Sequence, residues 1–238
     1  MSSAGILEPG TRLGWAVKGI DFGRLAIACV MFGSLTSEAA AQAAPGAIRN
    51  HFDADAAMRA PAFFDFVVLG APGDADWKVT PDFNPPSAPN DVSQTIPDRP
   101  DNSIAAALRR NVSLSDGRIS VYLKKLKGRA GMVFRLVSER DFLVLLLDLD
   151  RGEAKLVSYR EGKPTVLGSG KATFTTLWSM LAVELHGAEI RASWAGKPLL
   201  SASDPAPAAG RVGMATAGPG PVTFDEFLIE PAGEKPKP

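Results

Sequence analysis

The sequence predicts an all-β fold, a two-sheet antiparallel β-sandwich, over residues 44–238. The 238-residue chain contains 23 Gly and 19 Pro, a turn-rich composition that favours many short strands over long helices. From residue 118 onward, runs of β-forming residues alternate with turn dipeptides at the spacing typical of a sandwich. These dipeptides are Lys127-Gly128, Ser138-Glu139, Arg151-Gly152, Glu161-Gly162, Ala195-Gly196 and Ala209-Gly210.

Residues 1–43 have the pattern of a signal peptide. Basic residues precede the apolar run Leu25–Leu35, and Ala41-Gln42-Ala43 supplies small residues for cleavage. The run is about 11 residues long, whereas a spanning helix needs ~20. We therefore expect cleavage after Ala43, a periplasmic or secreted location, and no stable membrane insertion after cleavage. An uncleaved N-terminal anchor is the alternative.

The remaining chain, residues 44–238, is predicted to be a single β-sandwich domain with a short Pro/Lys-rich C-terminal tail. Its central stretch, Thr80–Ser103, is dense in Pro, Asn and Asp and predicts a long surface loop. Trp178–Leu185 is the one stretch that could pass for a helix, but it is short and lies close to Gly187.

Composition excludes several classes of function. Cys29, the single cysteine, lies in the apolar run, so disulfides, Cys-ligated zinc and thiol catalysis are excluded from the mature chain. Lys+Arg and Asp+Glu both number 26, so no net charge draws the protein to nucleic acid. With His51 and His186 as the only histidines, we expect no zinc cluster and no cofactor.

One metal is left open. Asp53, Asp55, Asp74 and Asp76 could offer carboxylate oxygens to a structural calcium ion, although acidic loops are usually only solvated.

Two-residue turns predict how the four strands between residues 118 and 161 face one another. If Lys127-Gly128, Ser138-Glu139 and Arg151-Gly152 are such turns, one row across the sheet holds Tyr122, Val133, Val144 and Tyr159. The same register places Arg135 opposite Phe142 and Asp148 opposite Lys155.

Alternation then divides these strands into two faces. One face is apolar and is predicted to be core; it collects Ile119, Val121, Leu123, Met132, Phe134, Leu136, Leu143, Leu145, Leu147, Ala154 and Leu156. The other is mixed, with aromatic rings that could stack on sugars and charged groups that could bind hydroxyls. The candidate ligand-binding residues on it are Tyr122, Arg135, Asp148, Lys155 and Tyr159. The alternative is a solvated face with a cross-strand charge ladder of Arg129, Asp148 and Lys155.

Several stretches in order resemble a known family. They are Phe52-Asp53, Trp77-Lys78-Val79, Asp116 to Val121, Gly131 to Arg135, Trp178 with Leu181 and Val183, Ala195 to Leu199, Gly210 to Gly213, and Phe224 to Phe227. Over about residues 52–230 the chain resembles the concanavalin A-like jelly-roll domains of exported bacterial proteins, close to the 3-keto-disaccharide hydrolase or glycoside hydrolase family 16-like domains. The resemblance implies a glycan or small-carbohydrate ligand, or an exported partner protein.

Catalysis needs more than the fold. Glycoside hydrolysis requires two carboxylates about 5 to 9.5 Å apart, and only Asp148 lies centrally on the mixed face. Because Arg151-Gly152 turns the chain between Asp150 and Glu153, we expect these acids not to line one strand face. The sequence favours a carbohydrate-binding or partner-binding module without evident catalytic machinery, with a carbohydrate-active hydrolase as the alternative.

Overall fold

The computed structural model describes residues 46–124, 127–174 and 176–233, and the predicted signal peptide lies outside them. Every regular secondary-structure element in this part of the chain is a β-strand. The strands are β1 (Ile48–Asn50), β2 (Phe64–Gly70), β3 (Trp77–Pro81), β4 (Asn90–Gln94), β5 (Ser103–Arg109), β6 (Gly117–Lys124), β7 (Arg129–Ser138), β8 (Asp141–Asp148), β9 (Glu153–Arg160), β10 (Lys163–Lys171), β11 (Trp178–His186), β12 (Glu189–Trp194), β13 (Lys197–Ser203), β14 (Arg211–Ala217) and β15 (Val222–Pro231).

The strands form two antiparallel sheets. The front sheet has the order β10-β9-β8-β7-β14-β5-β2. The back sheet has the order β13-β12-β11-β6-β15-β4-β3, with β1 paired to β15. The predicted fold class, an all-β two-sheet sandwich of the jelly-roll kind, is confirmed. No helix long and apolar enough to cross a membrane occurs among the described residues.

The apolar face predicted from alternation is the core between the sheets. Ile119, Val121 and Leu123 come from the back sheet, and Met132, Phe134, Leu143, Leu145, Leu147, Ala154 and Leu156 come from the front sheet. All ten side chains are buried in one cluster. The eleventh predicted member, Leu136, lies instead in a second apolar cluster.

The predicted pairing of β6 with β7 is wrong. β6 pairs with β11 and β15 in the back sheet, whereas β7 pairs with β8 and β14 in the front sheet. Alternation tells which side of a strand faces the core, but both sheets face the same core, so it cannot tell to which sheet the strand belongs.

The register within the front sheet is partly confirmed. Arg129 opposes Asp148 and Val133 opposes Val144, as the turn at Ser138-Glu139 predicted. Asp148, however, opposes Glu153 and not Lys155. The β8–β9 turn spans residues 149–152, closed by a 2.8 Å hydrogen bond from the amide of Gly152 to the carbonyl of Asp148. This shift of two residues leaves every side chain on its predicted face.

One expectation for an irregular segment is wrong. The predicted loop Thr80–Ser103 contains β4, which pairs with β3 and β15. Four of the five side chains of β4 are polar. They are buried but form hydrogen bonds, as in the 2.8 Å contact between Ser93 Oγ and Thr223 Oγ1. Trp178–Leu185 belongs to strand β11.

A second apolar layer covers the outer face of the front sheet. Its buried members are Leu69, Ile104, Ala106, Leu108, Val133, Leu136, Phe142, Val144, Ala215 and Ala217, and Val67, Leu146, Val157 and Tyr159 pack against them half-buried. The front sheet therefore has apolar side chains on both sides, and its outer layer forms the floor of the site described next.

Candidate functional site

A cavity of about 560 Å³ lies on the outer face of the front sheet, and we call it the front cavity. Ile104, Leu146 and Val157 contribute its apolar lining. They come from β5, β8 and β9, so the floor depends on strands that are distant in sequence. The volume falls in the range of small-molecule sites.

Tyr159 forms an aromatic wall of the front cavity. Its ring stacks on Phe142, with centroids 4.4 Å apart and planes inclined by 11°. Burial raises the pKa of Tyr159, and the positive charge of Arg129 offsets part of this rise. The phenol is therefore protonated at neutral pH and has a hydroxyl that can donate or accept a hydrogen bond.

Arg129 and Asp101 form one charged edge of the cavity. Arg129 Nη2 lies 3.0 Å from Asp101 Oδ1 and also donates to the carbonyl of Asp101. Because Gly218 has no Cβ, the two side chains can meet beside it: a Cβ there would lie 2.5 Å from Arg129 Nη2 and 2.9 Å from Asp101 Oδ1. The pair places a guanidinium at the mouth of the cavity.

Acidic side chains form the other edge. Asp148 Oδ1 accepts hydrogen bonds from the amides of Asp150, at 3.0 Å, and Arg151, at 2.9 Å, which holds the β8–β9 turn. Asp148, Asp150 and Glu153 all line the cavity. As expected, these acids do not line one strand face, because the turn separates β8 from β9. The turn nevertheless places Glu153 directly opposite Asp148 on the neighbouring strand.

Three of the five candidate binding residues lie together. Asp148, Lys155 and Tyr159 line the front cavity, on a face that the predicted alternation identified correctly. Their role in ligand binding stays a prediction. Tyr122 and Arg135 lie elsewhere, so the prediction of one open face shared by all five is wrong.

Arg135 is buried rather than open. A β-bulge interrupts the β7–β8 pairing between Phe134 and Ser138, and Arg135 has a φ of 50° there. In the pairing with β14, two residues of β7, Phe134 and Arg135, face the single residue Val212, and this one extra residue reverses the alternation. Arg135 therefore points inward and is 1% exposed, while Leu136 moves to the outer layer.

An ion pair compensates the buried guanidinium. Arg135 Nη1 lies 2.9 Å from Asp204 Oδ2, and Arg160 Nη2 lies 2.9 Å from Asp204 Oδ1. Burial raises the pKa of Asp204, but hydrogen bonds from the Ala206 amide, Arg135 and Arg160 outweigh it, so the pKa is lowered overall. Arg135 thus joins strands and loops at one end of the sandwich and is not available to a ligand.

Tyr122 lies on the other side of the molecule, because β6 belongs to the back sheet. It lines a separate pocket of about 320 Å³ on the outer face of that sheet, which we call the back pocket. The two-residue turn assumed at Lys127-Gly128 had placed it on the same face as Tyr159, in one row with Val133 and Val144.

Arg129, Asp101 and Ile104 are site residues that sequence reasoning did not select. Arg129 was expected on the mixed face, but only as part of a charge ladder. Asp101 and Ile104 reach the cavity because β5 joins the front sheet through β14, a contact between distant segments. Because strand β5 is apolar on both faces, the pattern of its residues does not indicate which face lines a cavity.

Three of the four aspartates considered for calcium, Asp53, Asp55 and Asp76, have separate partners. Asp76 Oδ2 lies 2.7 Å from Lys78 Nζ, and Asp55 Oδ2 accepts the amide of Ala62 at 3.0 Å. Within the described ranges, no group of three or more His, Cys, Asp or Glu residues is placed to hold a metal ion. The structural calcium stays an untested expectation.

Solved structures similar to this chain are sandwich domains of low sequence identity. The carbohydrate-binding module CBM66 from Bacillus subtilis is 14% identical, covering 68% of this chain and 96% of that one, with a TM-score of 0.49. A Bacillus subtilis protein of unknown function with a galectin-like fold is 11% identical, covering 70% and 89%, also at 0.49. Domain 4 of AbnA, a GH43 extracellular arabinanase from Geobacillus stearothermophilus, in complex with arabinotriose, is 13% identical, covering 77% and 91%, at 0.49.

No protein-family model matches the sequence, and no curated protein matches it significantly. The resemblance to 3-keto-disaccharide hydrolases therefore stays a prediction.

Proposed function

We propose that this chain is a carbohydrate-binding β-sandwich module whose front cavity binds a glycan. The observation that supports the proposal is the combination, in one cavity, of an apolar floor, the wall of Tyr159 and charged groups of both signs. Sugars need both kinds of surface, because a pyranose or furanose has apolar C–H patches and a rim of hydroxyls.

Each lining group has a role in this proposal. The ring of Tyr159, supported by Phe142, packs against the C–H patch of a sugar unit. Arg129 and Lys155 donate hydrogen bonds to hydroxyl oxygens, and Asp148 accepts from hydroxyl protons. The site is open and its charged groups are hydrated, so dissociation constants nearer millimolar or high micromolar than nanomolar are expected.

Calorimetric titration with neutral trisaccharides, including arabinotriose, xylotriose and cellotriose, tests the proposal. Lys155→Ala removes a charge-assisted hydrogen bond, which weakens binding by about tenfold or more. Tyr159→Ala removes the stacking wall and weakens binding similarly, whereas Tyr159→Phe keeps the ring. Lys163→Ala, an exposed lysine on β10 outside the cavity, is the matched control and leaves binding unchanged. Equal affinities in all four variants would remove this cavity as the site, and no binding of any trisaccharide would leave an exported partner protein as the better interpretation.

A carbohydrate-active hydrolase is the second candidate, and one observation favours it. Asp148 and Glu153 oppose each other across β8 and β9 and both line the front cavity. Directly opposed residues have Cβ atoms about 4.5 to 5.5 Å apart, close to the carboxylate spacing of retaining glycosidases. Release of reducing ends from polysaccharides by the wild type, abolished in Glu153→Gln while trisaccharide binding persists, would identify the enzyme. Binding without release identifies the module.

A further inference from the structure

The back pocket combines the same chemical groups as the front cavity on the opposite face of the sandwich. Tyr122 and Arg118 line it from β6, Glu226 from β15, and Arg49 from β1. Pro86, from the loop between β3 and β4, forms another wall. An aromatic ring, two guanidinium groups and a carboxylate therefore surround a volume of about 320 Å³.

Glu226 is held at this pocket by an unusual backbone. The pairing of β15 with β6 shifts between Asp225 and Leu228, and Glu226 lies in that bulge with a φ of 53°. A left-handed conformation in a residue other than glycine persists only where the surroundings impose it, and such residues cluster at functional sites. Bulges likewise redirect side chains next to binding sites.

Hydrogen bonds to the carboxylate of Asp225 impose the left-handed conformation of Glu226. The amide of Glu226 donates to Asp225 Oδ1 at 2.7 Å, and the carboxylate of Asp225 also accepts the amide of Ser87 at 2.7 Å. Asp225 is completely buried. The same network therefore holds the bulge and holds the loop that provides the Pro86 wall.

The groups in the pocket are preorganised, and each of the two guanidinium groups is paired with a carboxylate. Glu226 accepts from Arg49 at 3.3 Å and lies 2.5 Å from Nδ1 of His51. Arg118 is oriented by Glu230, at 2.8 Å, and its Nη2 lies 3.8 Å from Met180 Sδ. Both guanidinium groups keep N–H donors beyond those used in these contacts, since each has five.

We propose that the back pocket is a second saccharide-binding site, with the ring of Tyr122 as its stacking wall, Arg49 and Arg118 as hydroxyl donors and Glu226 as acceptor. The inference takes its ligand class, a neutral sugar unit, from the proposed function, and the pairing of each guanidinium with a carboxylate agrees with that class. The two sites lie on the outer faces of opposite sheets. One molecule therefore engages two separate glycan chains at once.

Methionine-methyl NMR with the same neutral trisaccharides tests the second site directly. Met180 lines the back pocket, whereas Met132 and Met214 lie in the core between the sheets. On titration the Met180 methyl signal shifts and the two core signals stay in place. In Arg49→Gln, whose side chain is 37% exposed in the wild type, half-saturation requires at least about tenfold more sugar.

Calorimetry with site-specific variants separates this inference from the proposed function. Two sugars bind per wild-type chain, and Tyr122→Ala and Tyr159→Ala each bind one. A single wild-type site abolished by Tyr159→Ala, with a stationary Met180 signal, overturns the second site and leaves the front cavity. A Met180 shift with binding unaffected by Tyr159→Ala supports the back pocket and overturns the front cavity. If no trisaccharide produces heat of binding or a shift of the Met180 signal, both proposed sites are overturned.

Discussion

Arg135 and Asp204 form an ion pair, 2.9 Å apart, in which both side chains are almost completely buried. The pair joins β7 to the segment that follows β13, and Arg160 adds a second guanidinium to the same carboxylate. Arg135 is therefore a structural residue and not part of an open binding face.

Replacement of Arg135 by alanine should destabilise the fold. The change leaves the buried carboxylate of Asp204 with one cation in place of two, and breaking a buried pair costs about 3 to 5 kcal/mol. Because Asp204 keeps its contact with Arg160, we expect the loss of stability to lie near the lower end of this range. Urea unfolding followed by tryptophan fluorescence measures it.

The matched control is Arg191→Ala. Arg191 pairs with Glu189 at 2.7 Å, but both side chains are about half exposed. Such pairs contribute about 0 to 1 kcal/mol. Equal losses in the two variants would contradict the structural role of Arg135.

Asp225 should make the protein less stable as pH rises from about 4 to about 7. Burial, as the main cause, raises the pKa of Asp225 to about 7, although Ser87 and the Glu226 amide donate to the carboxylate. Between about pH 4 and pH 7 the folded state binds a proton that the unfolded state has lost, so the free energy of unfolding falls across this window. Asp91, whose pKa burial raises to about 6, contributes in the same direction.

Asp225→Asn removes the titrating group and should reduce that fall by about 2 to 4 kcal/mol. Denaturant unfolding at pH 5, 6, 7 and 8 gives the two profiles. Glu139→Gln, in an exposed turn, is the control and keeps the wild-type profile. A profile of Asp225→Asn that is parallel to the wild type would show that Asp225 does not titrate in this range.

Gly213 should not tolerate a side chain. A Cβ at this position in β14 would lie 2.1 Å from the carbonyl oxygen of Ala107 in the neighbouring strand β5, and a backbone atom within a sheet cannot move aside cheaply. Gly213→Ala should therefore destabilise by about 2 kcal/mol or more. Gly233→Ala, where nothing lies within 4 Å, should change stability by less than about 0.5 kcal/mol in the same melting experiment.

Export should produce a mature chain that starts at Ala44. The basic segment, the apolar run and Ala41-Gln42-Ala43 together predict cleavage after Ala43. Expression of the full chain in a Gram-negative host, followed by periplasmic extraction and N-terminal sequencing, checks the site. Full-length protein in the cytoplasm would contradict export, and full-length protein in the membrane fraction would identify an uncleaved anchor.

The sequence by itself determined the fold class and the inward face of nearly every strand from β6 to β9. Apolar residues alternate with a period of two, and burial of one face of a strand requires that pattern whichever partner the strand has. The predicted outer face is correct even though the β8–β9 turn is two residues longer than predicted. An even shift in register leaves Asp148, Lys155 and Tyr159 on the same side of the sheet.

Only the tertiary structure decided which strands are neighbours and therefore which residues share a site. The placement of β6 in the back sheet separates Tyr122 from Tyr159, and its pairing with β11 and β15 depends on segments more than 50 residues away. The bulge at Arg135 similarly depends on a buried partner, Asp204, from a distant loop. Local alternation and turn length contain no information about such partners, because the free energy that selects them comes from packing two complete sheets against each other.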